Sequence, residues 1–369
     1  MKDKRNLWSP DVCKISPYIP GEQTSNDDFI KLNTNESPLP PSPYVFEAIN
    51  KAADDALRLY PDPESQELRD VIADYFSVER SNVFLGNGSD EVLAHAFNAF
   101  FKKKSPILFP DLTYSFYPVF CQLYGILFNE LPLDKNFKIS IDDYNQSNGG
   151  IIFPNPNAPT GVGLSRHEII KLLELNSSSV VIIDEAYIDY ANNSREDADE
   201  KKVSTVVDLT HKYKNLLVIQ TMSKSRGLAG LRIGYAIGDK FLIEALMRVK
   251  NSFNSYPLDR IAQKAAEASF CDDDYFKKTC DYVIHEREEL IRQLTSRSFV
   301  SLPSSSNFLL VRHALFSGDE LTKLLRKENI LVRFFPKKRL NQFIRITIGT
   351  AEQNKILLQA LDQILLSKK

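Results

Sequence analysis

Residues 151–190, IIFPNPNAPTGVGLSRHEIIKLLELNSSSVVIIDEAYIDY, contain strand, helix and strand in succession. IIF (151–153) and VVII (180–183) are short aliphatic and aromatic runs, and between them Ser165 and Glu168 have the spacing of a capping box opening a helix through Leu173. The same alternation extends outward. VFL (83–85) precedes a helix over 90–102, ILF (107–109) precedes a helix over 113–124, and LLVIQ (216–220) and RIGYAIG (232–238) supply further strands. Short apolar strands separated by amphipathic helices predict a mostly parallel sheet covered by helices on both faces, an α/β large domain.

Ahead of this unit Asp62 is placed to cap a helix and Pro63 to take its first position, with Leu68, Val71, Ile72, Tyr75 and Phe76 along one face. The first forty-odd residues end in ESPLPPSPY (36–44), where proline excludes a regular helix, and are read as an arm over another part of the protein. After about residue 250 long helices (258–270, 274–295) lead into NFLLV (307–311), a helix over 318–328, ILVRF (330–334), FIRITIG (343–349) and a closing helix. This is the pattern of a separate, smaller α+β domain. The expected organisation is an arm over 1–40 joining the small domain, a large domain over 41–255 and the small domain over 256–369. A chain of 369 residues is long enough to split in this way, since single cores stop growing beyond roughly 250 residues.

Composition narrows the function. Hydrophobic residues at 43% and charged residues at 25% exclude a disordered chain, and 46 Lys and Arg against 48 Asp and Glu give no global attraction for nucleic acid or an anionic membrane. Any anionic ligand must therefore be held by placed residues. Cys13, Cys121, Cys271 and Cys280 are scattered, without metal-ligand spacing or a disulfide framework, and fit a reducing cytoplasm with no metal. No signal peptide and no transmembrane helix are expected.

Four stretches at predicted strand ends carry chemistry. In LGNGSDE (85–91) a strand ends in a glycine turn and a helix begins at Ser89 or Asp90, offering backbone N–H groups to a phosphate; alone it is an ordinary capped turn. NPNAPTG (155–161) is a stiff loop where open sheets place ligands, or else only a rigid connection. In IIDEAYIDY (182–190), Asp184 leaves a buried strand, where a carboxylate is costly unless it meets a cation; a protonated pyridine nitrogen is one such partner, and an exposed loop position is the alternative. TMSKSRGLAGLRIG (221–234) sets Lys224 among small and hydroxyl residues; a desolvated lysine forms Schiff bases, whereas a lone lysine is ordinarily a solvated one. Arg232 opens the next strand and is a candidate anion ligand.

These stretches, with SPY (16–18), NTNES (33–37), YPD (60–62), LTY (112–114), NFLL (307–310) and FIRITIGT (343–350), resemble the fold-type I pyridoxal-phosphate aminotransferases over nearly the whole chain. Among these the chain is most similar to the histidinol-phosphate aminotransferase family. The resemblance implies pyridoxal 5'-phosphate carried on Lys224, with Asp184 paired to the ring nitrogen, Tyr187 donating to the phenolic oxygen and Tyr114 stacked on the ring. Ser89, Asp90, Ser223, Arg232 and Thr221 are then expected around the phosphate, with Tyr60 reaching in from the other subunit of a homodimer. Tyr18, Asn35, Asn307, Arg333 and Arg345 are expected to line the substrate pocket. Relatives often have Asn immediately before the PTG triplet, where this chain has Ala158, and Asn157 is the candidate to replace that contact with the cofactor. Leu112 stands where relatives have proline, with Tyr114 retained.

Arg333 and Arg345 are flanked by apolar residues on strand-like segments, which favours anion binding over surface salt bridges, because guanidinium groups grip phosphate and carboxylate bidentately. The implied activity moves an amino group from histidinol phosphate to 2-oxoglutarate. The competing readings are a decarboxylase of threonine phosphate, an aromatic aminotransferase and, outside enzymes, a cofactor-binding regulator, for which no DNA-binding module is visible.

Overall fold

A computed structural model describes residues 7–24, 28–191 and 201–368. The arm contributes β1 (Ile30–Lys31) and the chain then enters α1 (Pro43–Ala52), α2 (Gln66–Phe76), β2 (Val83–Asn87), α3 (Gly88–Phe100), β3 (Ile107–Pro110), α4 (Tyr117–Tyr124) and β4 (Phe128–Leu131). There follow β5 (Ile151–Pro154), α5 (Arg166–Leu175), β6 (Val181–Asp184), β7 (Leu216–Thr221), β8 (Ile233–Gly238) and α6 (Lys240–Phe253). Seven of these strands form one sheet in the order β2-β8-β7-β6-β5-β3-β4. All neighbours are parallel except β8, which runs antiparallel to both β2 and β7.

The strands alternate sides with period two, and each side has its own helices. Val83, Leu85, Ile151, Phe153, Val181, Ile183, Leu216 and Val218 pack with α2, α5 and α7 (Arg260–Cys271). Phe84, Ile152, Ile182, Leu217 and Ile219 pack with α3, α4 and α6. Leu258, Ala262, Ala265, Ala266 and Phe270 place α7 in the first of these cores. The rest of the chain is α8 (Asp273–Ser296), β9 (Val300–Ser301), β10 (Phe308–Arg312), α9 (Gly318–Lys327), β11 (Ile330–Leu331), β12 (Arg333–Phe334), β13 (Phe343–Thr347) and α10 (Ala351–Leu366). A four-stranded antiparallel sheet, β12-β13-β10-β9, and helices α8, α9 and α10 enclose a separate core around Leu309, Val311, Ile344 and Ile346. The arm joins this unit: β1 pairs with β11 and Leu32 lies in its core.

Several local expectations are corrected. Asp62 does not cap α2 at Pro63; its carboxylate accepts from the N–H groups of Glu64 at 3.0 Å and Gln66 at 2.7 Å, closing a turn that delays the helix to Gln66. The proline-rich segment ends in a helix after all, because Ser42 accepts from Tyr44 N–H and Pro43 takes the first position of α1, where its missing N–H costs nothing. Helix α4 starts at Tyr117 rather than 113, and α3 at Gly88 rather than 90. Arg232 does not open β8 but precedes it in the left-handed region, φ 55°. The capping box is as expected: Glu168 accepts from the Ser165 N–H at 2.8 Å.

Candidate active site

Because β8 is reversed, its first residues lie at the same sheet edge as the last residues of β2, β5, β6 and β7; Ile233 sits opposite Asn87, and Gly234 opposite Thr221. A cavity of about 330 Å³ opens there. Tyr18, Asn35, Ser89, Asp90, Tyr114, Asp184, Tyr187, Thr221, Ser223, Lys224, Arg232, Arg333 and Arg345 all line it. Asn157, Asn307 and Tyr60 do not.

One wall is a cup for an anion. The amino end of α3 starts at Gly88 with φ 79°, and a Cβ there would collide with the Arg232 guanidinium, so only glycine allows the arginine to lie over the helix terminus. Thr221 Oγ1 donates to Ser223 Oγ at 3.0 Å, and Arg232 reaches Ser223 Oγ at 3.4 Å and Asp90 Oδ2 at 3.3 Å. Helix N–H groups, hydroxyls and one guanidinium suit a phosphate monoester. The Asp90 carboxylate faces Arg232 and accepts from Tyr114 Oη at 2.9 Å, so its backbone N–H is the part left to meet an anion.

Asp184 forms the floor. It ends β6, only 4% exposed, and accepts from Tyr117 Oη at 3.0 Å and from the Ala186 N–H at 3.2 Å. Burial pushes its carboxyl up to about 6, against the pull of those two hydrogen bonds. No side-chain cation lies within 4 Å among the described residues, so the carboxylate meets its neutralising partner only when a cationic group enters the cavity. Tyr117 was missed in the sequence; it lies three residues after Tyr114, and the two rings meet edge to face at 5.7 Å.

Lys224 follows β7 and donates from Nζ to the Thr34 carbonyl at 3.1 Å. Burial first, and then Arg345 and Arg232, lower its ammonium to about 8, opposed by Glu36 and Asp90. Its Nζ lies 5.9 Å from the Tyr187 ring centroid. Tyr187 Oη accepts from Asn35 Nδ2 at 3.0 Å. An amine with a depressed pKa, a phosphate cup and a buried carboxylate together fit pyridoxal phosphate, whose aldehyde, phosphate and ring nitrogen need those three partners.

At the mouth, Arg333 and Arg345 face each other across the β12–β13 pair. Like charges directly opposite are destabilising, and among the described residues neither meets a carboxylate within 4 Å. Arg333 donates to the Ile19 and Pro20 carbonyls, and Arg345 to the Asn33 carbonyl at 3.0 Å, while Arg345 Nε is buried without a partner. Arg345 packs over the Phe308 and Phe335 rings. The salt-bridge alternative fails, and an anion between the two guanidinium groups would relieve their repulsion.

Three expected positions lie elsewhere. The Asn157 amide is turned into its own loop, donating to Leu112 O at 2.9 Å and Thr160 Oγ1 at 3.1 Å and accepting from Thr113 Oγ1, so Ala158 takes the place at the cavity. Asn157 therefore does not replace the missing asparagine. Asn307 is fully buried behind the cavity, with Nδ2 donating to the Asn35 carbonyl at 3.1 Å. Tyr60 is 80% exposed and stacks on Tyr256 at 4.6 Å, away from this cavity. No group of His, Cys, Asp and Glu among the described residues could hold a metal ion, and no helix there is long and apolar enough to cross a membrane.

The family model of aminotransferase class I and II matches residues 27–361. Histidinol-phosphate aminotransferase 1 of Hydrogenovibrio crunogenus is 52% identical over 97% of this chain and 98% of its own length. Histidinol-phosphate aminotransferase of Acinetobacter baumannii strain SDF is 51% identical over 98% of each. The crystal structure of histidinol-phosphate aminotransferase from Sinorhizobium meliloti in complex with pyridoxal-5'-phosphate is 21% identical, covers 98% of both chains and has a TM-score of 0.86, which fixes the fold. A family model over most of the chain and relatives identical at about half of their positions over nearly their full length show that this chain belongs to the aminotransferase class I and II family.

Proposed function

We propose that the chain is a pyridoxal-phosphate aminotransferase that converts L-histidinol phosphate and 2-oxoglutarate to imidazole acetol phosphate and L-glutamate. The observation that carries the substrate is the facing pair Arg333 and Arg345, which suits a phosphate in one half-reaction and a carboxylate in the other; the names of the sequence relatives point the same way. When bound, the cofactor supplies an electron sink for the carbanion formed at the substrate carbon. Lys224 would hold the cofactor through its amine, and its Nζ is the group that would move a proton at the substrate carbon. Asp184 would keep the ring nitrogen protonated, Tyr187 would donate to the phenolic oxygen and Tyr114 would lie against the ring. Ser89, Ser223, Thr221, Arg232 and the Asp90 N–H would hold the phosphate, and Tyr18 and Asn35 would border the substrate.

Incubation with histidinol phosphate, threonine phosphate and phenylalanine in turn, each with and without 2-oxoglutarate, tests this reading. Glutamate formed fastest from histidinol phosphate is the expected result, and carbon dioxide released from threonine phosphate would overturn it. Arg333→Ala should cost histidinol phosphate tens-fold in kcat/KM, about 2 kcal/mol for a lost charge-assisted bond, while histidinol, which carries neither phosphate nor carboxylate, loses little. Equal losses for both substrates would make Arg333 structural.

The dimer belongs to the same proposal. Tyr60 stacks on Tyr256, and both are exposed, as are Leu57, Leu59 and Phe253 nearby in sequence, which suits the surface of a second copy whose cavity Tyr60 would enter. Mixing Tyr60→Phe and Lys224→Ala subunits should restore activity through one intact site per heterodimer; heterodimers without activity would place Tyr60 outside the site. The four scattered cysteines, with no disulfide framework, support a cytoplasmic setting. The separate cores support an arm, a sheet-bearing unit and a C-terminal unit, and the packing of α7 favours a second boundary near 272 over one at 255.

A further inference from the structure

Ala158 lines the cavity without a hydrogen-bonding group, and Asn157 beside it is turned away, so the loop after β5 offers no side-chain donor there. Tyr187 is left to meet the phenolic oxygen, and a hydroxyl has a single proton to give. Where that proton points depends on what the tyrosine oxygen itself accepts.

The Asn35 amide sits on that oxygen, and its own position is fixed on every side. Asn35 is 1% exposed with φ 56°, a conformation that asparagine tolerates better than most residues. Its N–H donates to Thr347 Oγ1 at 3.0 Å, its Oδ1 accepts from the same hydroxyl at 3.0 Å, and its carbonyl accepts from Asn307 Nδ2. With the amide in this orientation the Thr347 proton has an acceptor; flipped, that buried proton would have none. Nδ2 therefore faces Tyr187 Oη.

We propose that Asn35, oriented by Thr347 of β13, is a positioning residue for Tyr187, occupying the tyrosine oxygen as a donor so that the phenolic proton is directed into the cavity. This deepens the cofactor assignment above and rests on Lys224 and Tyr187 serving as stated there. The arrangement links a large-domain tyrosine to a strand of the C-terminal sheet. The surroundings of Tyr187 are mixed: burial raises its pKa, Arg345 and the Asn35 hydrogen bond lower it, and Asp184 and Asp90 raise it.

A donor aimed at the phenolic oxygen stabilises its anion, and so lowers the pH at which the Lys224-bound cofactor loses its proton and its visible absorption changes. The pH titration of that absorption, without substrate, is the test. Asn35→Gly, which keeps the positive φ without strain, should move the midpoint up by about half a pH unit or more, on the scale of one lost hydrogen bond. Thr347→Val should move it the same way by less, and supplies the result if the glycine variant fails to fold. In a Tyr187→Phe background Asn35→Gly should add nothing.

An unchanged midpoint in both variants, a downward shift, or a full additional shift in the Tyr187→Phe background would overturn the positioning role. A wild type with no pH-dependent visible band would instead overturn the cofactor assignment, and this role with it.

Discussion

Lys224→Ala should leave a folded protein with turnover reduced about ten-thousand-fold or more, because on the proposed reading one side chain would provide both the covalent attachment and the general base. Borohydride reduction of the loaded wild type followed by peptide mapping should place the cofactor on Lys224 alone, and the variant should yield no adduct. A reduced adduct on another lysine would overturn the assignment. The depressed pKa gives a second signature. Attachment needs the neutral amine, whose fraction rises tenfold per pH unit until the pKa is passed. Loading of cofactor-free protein should therefore accelerate up to about pH 8 and then level off, whereas an ordinary lysine would continue to gain until about pH 10.4.

The β7–Lys224–β8 segment shows what was legible in the sequence and what was not. LLVIQ and IGYAIG were readable as strands because they are continuous apolar runs that can only be buried. Their relative direction was readable in principle too, since parallel neighbours need a crossover, usually helical, and residues 222–232 make only turns with a short 3-10 segment. The polar strand-end residues were found by the same logic. Their grouping in one cavity follows from strand direction, which places Arg232 over the amino end of α3.

What failed depended on side-chain orientation and on packing at a distance. Asn157 and Ala158 are adjacent in a loop without periodicity, and the need of the buried Leu112 carbonyl and Thr160 hydroxyl for partners turns the asparagine inward. The opposition of Arg333 and Arg345 is a matter of strand register, which the arginines themselves do not encode. Tyr117 was invisible because its partner, Asp184, is far away in sequence. Helix α1 was hidden by the prolines before it, although Ser42 and Pro43 form a legible start signal.

Asp184→Asn should lower turnover by at least about a hundredfold and should separate the carboxylate's two roles by opposite signs in stability. In the cofactor-free protein the buried carboxylate is a burden: its pKa of about 6 exceeds the ordinary 3.8, so ionisation costs the fold on the order of 3 kcal/mol. The raised value makes this cost absent below about pH 4, growing as pH rises to about 6, and constant above. Asparagine still accepts from Tyr117 through its one amide oxygen and carries no charge, but it turns its NH2 group toward the Ala186 N–H that the carboxylate accepted from at 3.2 Å, which offsets part of the gain. The cofactor-free variant should therefore melt no lower than wild type at pH 7 and lose the gain near pH 4. In the loaded protein the sign reverses. On the proposed reading Asp184 would then face a protonated ring nitrogen, and removing one member of a buried ion pair costs about 3–5 kcal/mol, which is where the loss of turnover would originate. Cofactor should raise the wild-type Tm clearly more than that of the variant. A variant that melts well below wild type without cofactor would make Asp184 a structural residue, and near-normal single-turnover rates in the loaded variant would remove it from the mechanism.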